Sequence, residues 1–305
     1  MIEFGDAGGI RVRRHPEPGE HSSSVLERKP KPPGYTNLTY IIHPTAGEGS
    51  DRQRLVQTSI QTMLEATDLT TSRAIAIIDP NDSHYLQPGT AVTDIRLDSY
   101  EGDWVKSGDV ISNVTAVTLI GGNLERCLGA VGQNLISKDG KNVKGVDFQL
   151  PLEAIYTKDG ITALDSLRYL FAHARNPLEA VAALLSHRPL PNPDYPGNKS
   201  FSLIDSYGRY SYDIRFNGKE IGRLTSTSLH ASEQHESHPE NSGFIIKLSP
   251  PLPDPPPLHP IKLSLIGEIT AGKEVPVALD ESTFTRRLEY ARESVLPHYV
   301  LSAPE

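Results

Sequence analysis

A single cysteine, Cys127, stands a few residues beyond a β-branched apolar run, Val117 to Ile120, and a Gly121–Gly122 pair. A thiol attacks as its thiolate, so its surroundings decide whether it can do chemistry. The apolar run predicts a buried strand, the glycines a turn able to take positive φ, and Asn123 the N-cap of a helix. Leu124, Cys127, Leu128, Val131 and Leu135 then recur at helical spacing. Cys127 therefore falls in the first or second helical turn, where peptide dipoles favour a thiolate. A buried packing thiol fits the same position, and both readings stay open.

Three further groups carry chemical potential. Asp79 directly follows Ala74 to Ile78, a run apolar on both faces as a central parallel strand must be. An acid at the carboxyl end of such a strand faces the edge where open α/β sheets bind ligands, although Asp79-Pro80-Asn81-Asp82-Ser83 is also plain turn chemistry. Gly47-x-Gly49-Ser50 lies between a strand at Leu38 to Ile42 and a helix capped by Ser50 or Asp51. Its backbone N–H groups could cradle a phosphate, and an ordinary strand-to-helix turn needs the same glycines. Finally, His230, His235 and His238 interleave with Glu233, Glu236 and Glu240. Such groups can hold zinc or nickel, but with no rigid element around them the expectation is a solvated loop and no metal site.

The elements that must position these groups follow from periodicity. Residues 1–35 are rich in Pro, Glu, Arg, Lys and Ser and read as a disordered arm. From 36 to 187 strands and helices alternate, the pattern of an α/β domain with a largely parallel sheet in a three-layer sandwich. A short strand is expected at Ile95 to Leu97, another at Val146 to Leu150, and a helix pair at 162–185 opened a second time by Pro177. Residues 188–198 are a proline-rich linker. Residues 199–305 read as a smaller β-rich, antiparallel region with an Asn217–Gly218 hairpin and a last helix carrying Phe284, Leu288, Ala291 and Val295. Pro250 to Pro260 reads as an extended connector.

Composition narrows the function. At 305 residues with 37% hydrophobic residues the chain can build a sizeable core. A net charge of −8 and a pI near 5.8 give no electrostatic footprint for nucleic acid, and no run is long enough to cross a bilayer. The opening residues lack the order of a signal peptide and the lone cysteine suits a reducing compartment, so a cytoplasmic, soluble protein is expected. A small-molecule substrate is the expected partner, and a protein partner stays open.

Two local segments resemble the isochorismatase-like cysteine hydrolases. Ala76 to Asp82 is similar to that family's first strand ending in its acidic residue and a polar turn, and Gly121 to Leu128 resembles its glycine, short turn and nucleophilic cysteine. Asp79, Lys106 and Cys127 follow the family's order of Asp, Lys and Cys. The resemblance implies Cys127 as nucleophile, Asp79 as base and Lys106 as the cation favouring the thiolate, with backbone N–H groups between Gly122 and Cys127 as an oxyanion hole. It implies a hydrolase of a small-molecule amide or ester that needs no cofactor. The alternatives are a catalytically silent binding or interaction protein on the same fold, and a nucleotide or phosphate binder through Gly47, Gly49 and Ser50.

Overall fold

A computed structural model describes residues 2–4, 10–12, 24–44, 51–78, 90–97, 104–106, 108–138, 143–157, 161–186, 202–205, 208, 210–227, 260–267 and 281–304. In chain order the strands are β1 (Ile2–Phe4), β2 (Ile10–Val12), β3 (Ser24–Arg28), β4 (Asn37–Ile42), β5 (Ser72–Ile78), β6 (Ala91–Val92), β7 (Asp94–Leu97), β8 (Ala116–Gly121), β9 (Asp147–Pro151), β10 (Tyr212–Phe216), β11 (Lys219–Ser226), β12 (Ile261–Ile266) and β13 (Tyr299–Ser302). The α-helices are α1 (Asp51–Glu65), α2 (Gly129–Lys138), α3 (Ala163–His173), α4 (Pro177–Leu185) and α5 (Glu281–Tyr290).

The fold is mixed α/β, built on a nine-stranded sheet in the order β13-β11-β10-β12-β9-β8-β4-β5-β7. From β7 to β10 every neighbouring pair is parallel, and only β11 and β13 run antiparallel to their partners. All seven residues of β5 are buried. A strand covered on both faces has no use for alternation, which is why Ala74 to Ile78 is a continuous apolar run. In β9 and β10, by contrast, Phe148, Leu150, Tyr212 and Ile214 are buried while Asp147, Gln149, Asp213 and Arg215 are more exposed. These strands cover one face only, and period-two patterning is the result.

Two cores follow. One joins Ile41, Ala74, Ala76, Ile78 and Ile120 to Val56, Ile60 and Leu64 of α1. The larger joins Tyr40, Ile42, Ile75, Ile77, Val117, Leu119 and Phe148 to Val131 and Leu135 of α2, Leu167 and Leu170 of α3, Val181 and Leu184 of α4, and Phe284 and Leu288 of α5. The expected helix pair is α3 and α4, each begun by a side-chain cap: Thr162 accepts from Asp165 N–H, and Asn176 from Glu179 N–H ahead of Pro177. Asn217 and Gly218 take positive φ, as the hairpin requires.

Several boundaries differ from the sequence expectation. The strands expected to make a separate carboxyl-terminal region extend the main sheet: β12 pairs in parallel with β9 on one side and β10 on the other. A parallel neighbour needs a long crossover, and residues 228–259 are long enough to supply one. Phe201 to Ile204 forms no strand among its described residues. The described part of the expected arm carries β1, β2 and β3 in a second sheet, reached through β3 and β6. By Tyr35, which is fully buried and donates from its hydroxyl to the Asp109 carbonyl at 2.6 Å, the chain is inside the core. The linker at 188–198, the histidine loop and residues 250–259 lie outside the described residues. No helix among the described residues is long and apolar enough to cross a membrane.

Candidate functional site

The chain leaves β4, passes through α1 to β5 on one side, reaches β7 beyond it, and then returns to β8 on the other side of β4. Strand order therefore reverses between β4 and β8. At such a point the loops after the two strands diverge and leave a crevice at their carboxyl ends, where open α/β sheets seat ligands. Ile42 pairs with Gly121 at this edge, and Ile78 ends β5 on the next strand along.

The backbone here is unusual at the ends of both strands. His43, the first residue after β4, has φ +40°, a left-handed conformation rare for a residue other than glycine. Its N–H donates to the Ile77 carbonyl at 2.9 Å, and its ring meets Trp104 edge to face at 5.5 Å. Gly121 has φ +74°, and a Cβ added there would sit 2.4 Å from the Ile42 carbonyl oxygen. Gly122 has φ +58°, and a Cβ there would lie 2.9 Å from Cys127 Sγ and 3.1 Å from the same carbonyl. The two glycines thus let β8 turn in close contact with β4 and leave room for the sulfur.

Cys127 lies in a π-helical turn, Leu124–Leu128, that precedes α2. This differs from the plain α-helical start expected from the spacing. The turn is fixed at several points. The Asn123 side chain accepts from Glu125 N–H at 3.0 Å, and Leu128 N–H donates to the Asn123 carbonyl at 3.1 Å, five residues back. Leu124 N–H donates to the Tyr156 carbonyl at 2.8 Å, and Tyr156 N–H to the Gly122 carbonyl at 3.1 Å, which carries the β8–β9 pairing past the strand ends. Cys127 is partly exposed, and its sulfur accepts Asn123 N–H at 3.1 Å. A backbone donor aimed at sulfur serves a thiolate, and it also serves as a helix cap.

The structure places the other expected site residues as follows. Gly47, Gly49, Ser50 and Asp79 lie outside the described residues. Lys106 is exposed, its N–H donating to Asp109 Oδ2 at 2.8 Å. No hydrogen bond or ion pair joins Lys106 to Cys127 among the described residues.

Asp109 centres a buried polar cluster that sequence reasoning missed. Arg96 grips both its carboxylate oxygens at 2.6 Å, Arg73 Nη1 donates to Oδ1 at 3.0 Å and Tyr40 to Oδ2 at 2.6 Å. Arg73 also donates through Nε to Asp94 at 2.8 Å. Burial pushes the Asp109 carboxyl up, but the hydrogen bonds from Arg96, Tyr40 and Lys106 N–H outweigh it and hold the group below the usual carboxylate range. Burial, then the neighbouring carboxylate of Asp109, drives the Tyr40 hydroxyl far upward, so it stays a donor. Two arginines balance two aspartates here, and each is satisfied by the others. The cluster is a structural unit rather than a reactive one.

A second missed feature touches the cysteine turn. Glu125, 2% exposed, pairs with Arg287 of α5, 9% exposed. Nothing in a 162-residue separation signals this contact. His43 did leave a signal, a histidine set between a strand run and a proline. No protein-family model, curated protein or solved structure matches the chain, so what this edge does rests on the chain's own residues.

Proposed function

We propose that the protein is a three-layer α/β sandwich that binds a small molecule at the carboxyl edge between β4 and β8, with Cys127 lining the site. One observation carries this reading: the strand order reverses where His43, Gly121 and Gly122 adopt left-handed backbone and a partly exposed thiol sits beside them. Gly47, Gly49 and Ser50 follow β4 in the sequence and precede α1, which makes a phosphate-bearing ligand the preferred class. A cytoplasmic setting belongs to this reading, since a lone free thiol suits a reducing compartment.

The Asn123 N–H aimed at Sγ favours a second reading, cysteine-dependent hydrolysis of an amide or ester. Cys127 would attack the carbonyl, form a thioester with loss of the amine or alcohol, and release the acid when water attacks. Asp79, the residue that follows Ile78 in the sequence, would take the thiol proton. Lys106 fits its assigned part least, because its main chain is held at Asp109 and its side chain is exposed.

Two measurements separate these readings. NMR with a fragment library and inorganic phosphate should move the amides of 42–43 and 121–128; shifts confined elsewhere would remove the binding site from this edge. Incubation with p-nitrophenyl acetate should yield an acetyl adduct on Cys127 that turns over if the protein is a hydrolase. A thiol that stays unmodified until denaturant is added leaves the binding reading alone.

A further inference from the structure

We infer that Arg287 is a positioning residue for the cysteine turn: the carboxyl-terminal helix α5 sets the geometry of the proposed site through one buried ion pair. This rests on the reading of the β4–β8 edge as a site, and it concerns how that site is held.

The turn cannot hold itself. A π-helical turn is rare beside the α-helix, occurring mostly as a single turn, and persists where its surroundings over-determine it; such turns gather at functional sites. Here the turn is only five residues, Leu124–Leu128. Its amino end is fixed by the Asn123 cap and by Tyr156, and its packing by Leu124 and Leu128, which are 2% and 0% exposed. Its one acidic side chain, Glu125, points inward with 1% of its side chain exposed. A carboxylate so placed demands a cation, and α5 supplies Arg287. Glu125 is two residues from Cys127, and its N–H donates to the side chain of Asn123, the N-cap residue whose own N–H faces Sγ. Moving Glu125 therefore moves the donor on which the sulfur rests.

The same helical segment offers an internal control. Five residues further on, Arg292 pairs with Glu179 at the start of α4, a carboxylate only 2% exposed, which also accepts Arg175 N–H at 2.7 Å. This second pair ties the same helical segment to the core without touching the cysteine turn. Both pairs anchor the carboxyl-terminal helix, and only the first reaches the site.

The test compares Arg287→Met, Arg287→Lys, Glu125→Gln and Arg292→Met in the full chain by amide exchange at Asn123, Leu124 and Leu128 and by iodoacetamide alkylation of the folded protein. Arg287→Met should speed exchange at these amides about tenfold, equivalent to about 1.4 kcal/mol of local stability, and should alter the alkylation rate. Arg287→Lys should recover part of both, and Arg292→Met should leave both near wild type whatever it does to the melting temperature. If Arg287→Met does not fold, Glu125→Gln carries the comparison. Unchanged exchange in Arg287→Met and Glu125→Gln, or equal change in Arg292→Met, overturns the positioning role. Ligand-induced amide shifts confined to residues outside 42–43 and 121–128 instead sink the reading of the edge as a site, and the exchange data still decide the role of Arg287.

Discussion

The Asp109 cluster and the β4–β8 edge lie at opposite extremes of how a protein uses polar groups. Around Asp109 the side chains are oppositely charged, deeply buried and bonded to one another, with Asp109 itself 3% exposed. At the edge the distinctive features are backbone conformations, His43, Gly121 and Gly122, with a partly exposed cysteine whose sulfur accepts Asn123 N–H at 3.1 Å and whose thiol donates to the Asn123 carbonyl at 3.7 Å. Mutually satisfied charges have little capacity left for a ligand, whereas strained backbone beside a partly exposed thiol leaves groups that a ligand can meet. Buried Arg, Asp and Tyr look catalytic when named and are structural when traced.

The sharpest way to break this contrast is to remove the centre of the cluster. Asp109→Ala leaves Arg96 buried without its carboxylate and Arg73 with Asp94 alone, and should cost about 3–5 kcal/mol in urea unfolding. The pH dependence has a definite sign. Because the folded carboxyl lies below its unfolded value of about 3.9, its contribution is present above that pH and is lost as pH falls through the lowered value. The unfolding midpoint of the parent should drop steeply in acid, and that of Asp109→Asn should drop less. A variant as stable as the parent would mean that the cluster does not hold the fold.

A smaller effect is expected at the edge. Gly121→Ala places a methyl against the Ile42 carbonyl in a left-handed backbone and should cost about 2 kcal/mol, with β4 and β8 pushed apart. Gly122→Ala presses on Cys127 Sγ as well as on the Ile42 carbonyl, so it should alter thiol alkylation more than Gly121→Ala does. Equal effects of the two on alkylation would blur the distinction between scaffold and site.

The smallest effect belongs to the amino terminus. Removing residues 1–23 should change stability by less than about 0.5 kcal/mol, because among the described residues β1 and β2 pair only with each other and β3. Extending the deletion through Tyr35 removes a fully buried ring and its bond to Asp109, and a large loss of melting temperature should mark where the core begins.

Local patterning determined much of this protein. The continuous apolar run of β5, the alternation in β9 and β10, the capped pair α3 and α4, the Asn217–Gly218 hairpin and the glycine turn before Cys127 were all legible, because each is set by neighbours within a few residues. Tertiary structure alone decided the rest. That β12 joins β9 and β10 into one sheet, that Asp109 collects two arginines, and that Arg287 reaches Glu125 are contacts between segments far apart in sequence. Short-range periodicity says which face of a strand or helix is buried, and nothing about which distant segment buries it. Even at the cysteine turn the glycines and the Asn123 cap were readable, but the π-helical winding was not. It depends on bonds to Tyr156 and an ion pair to α5, both formed only once the chain has folded.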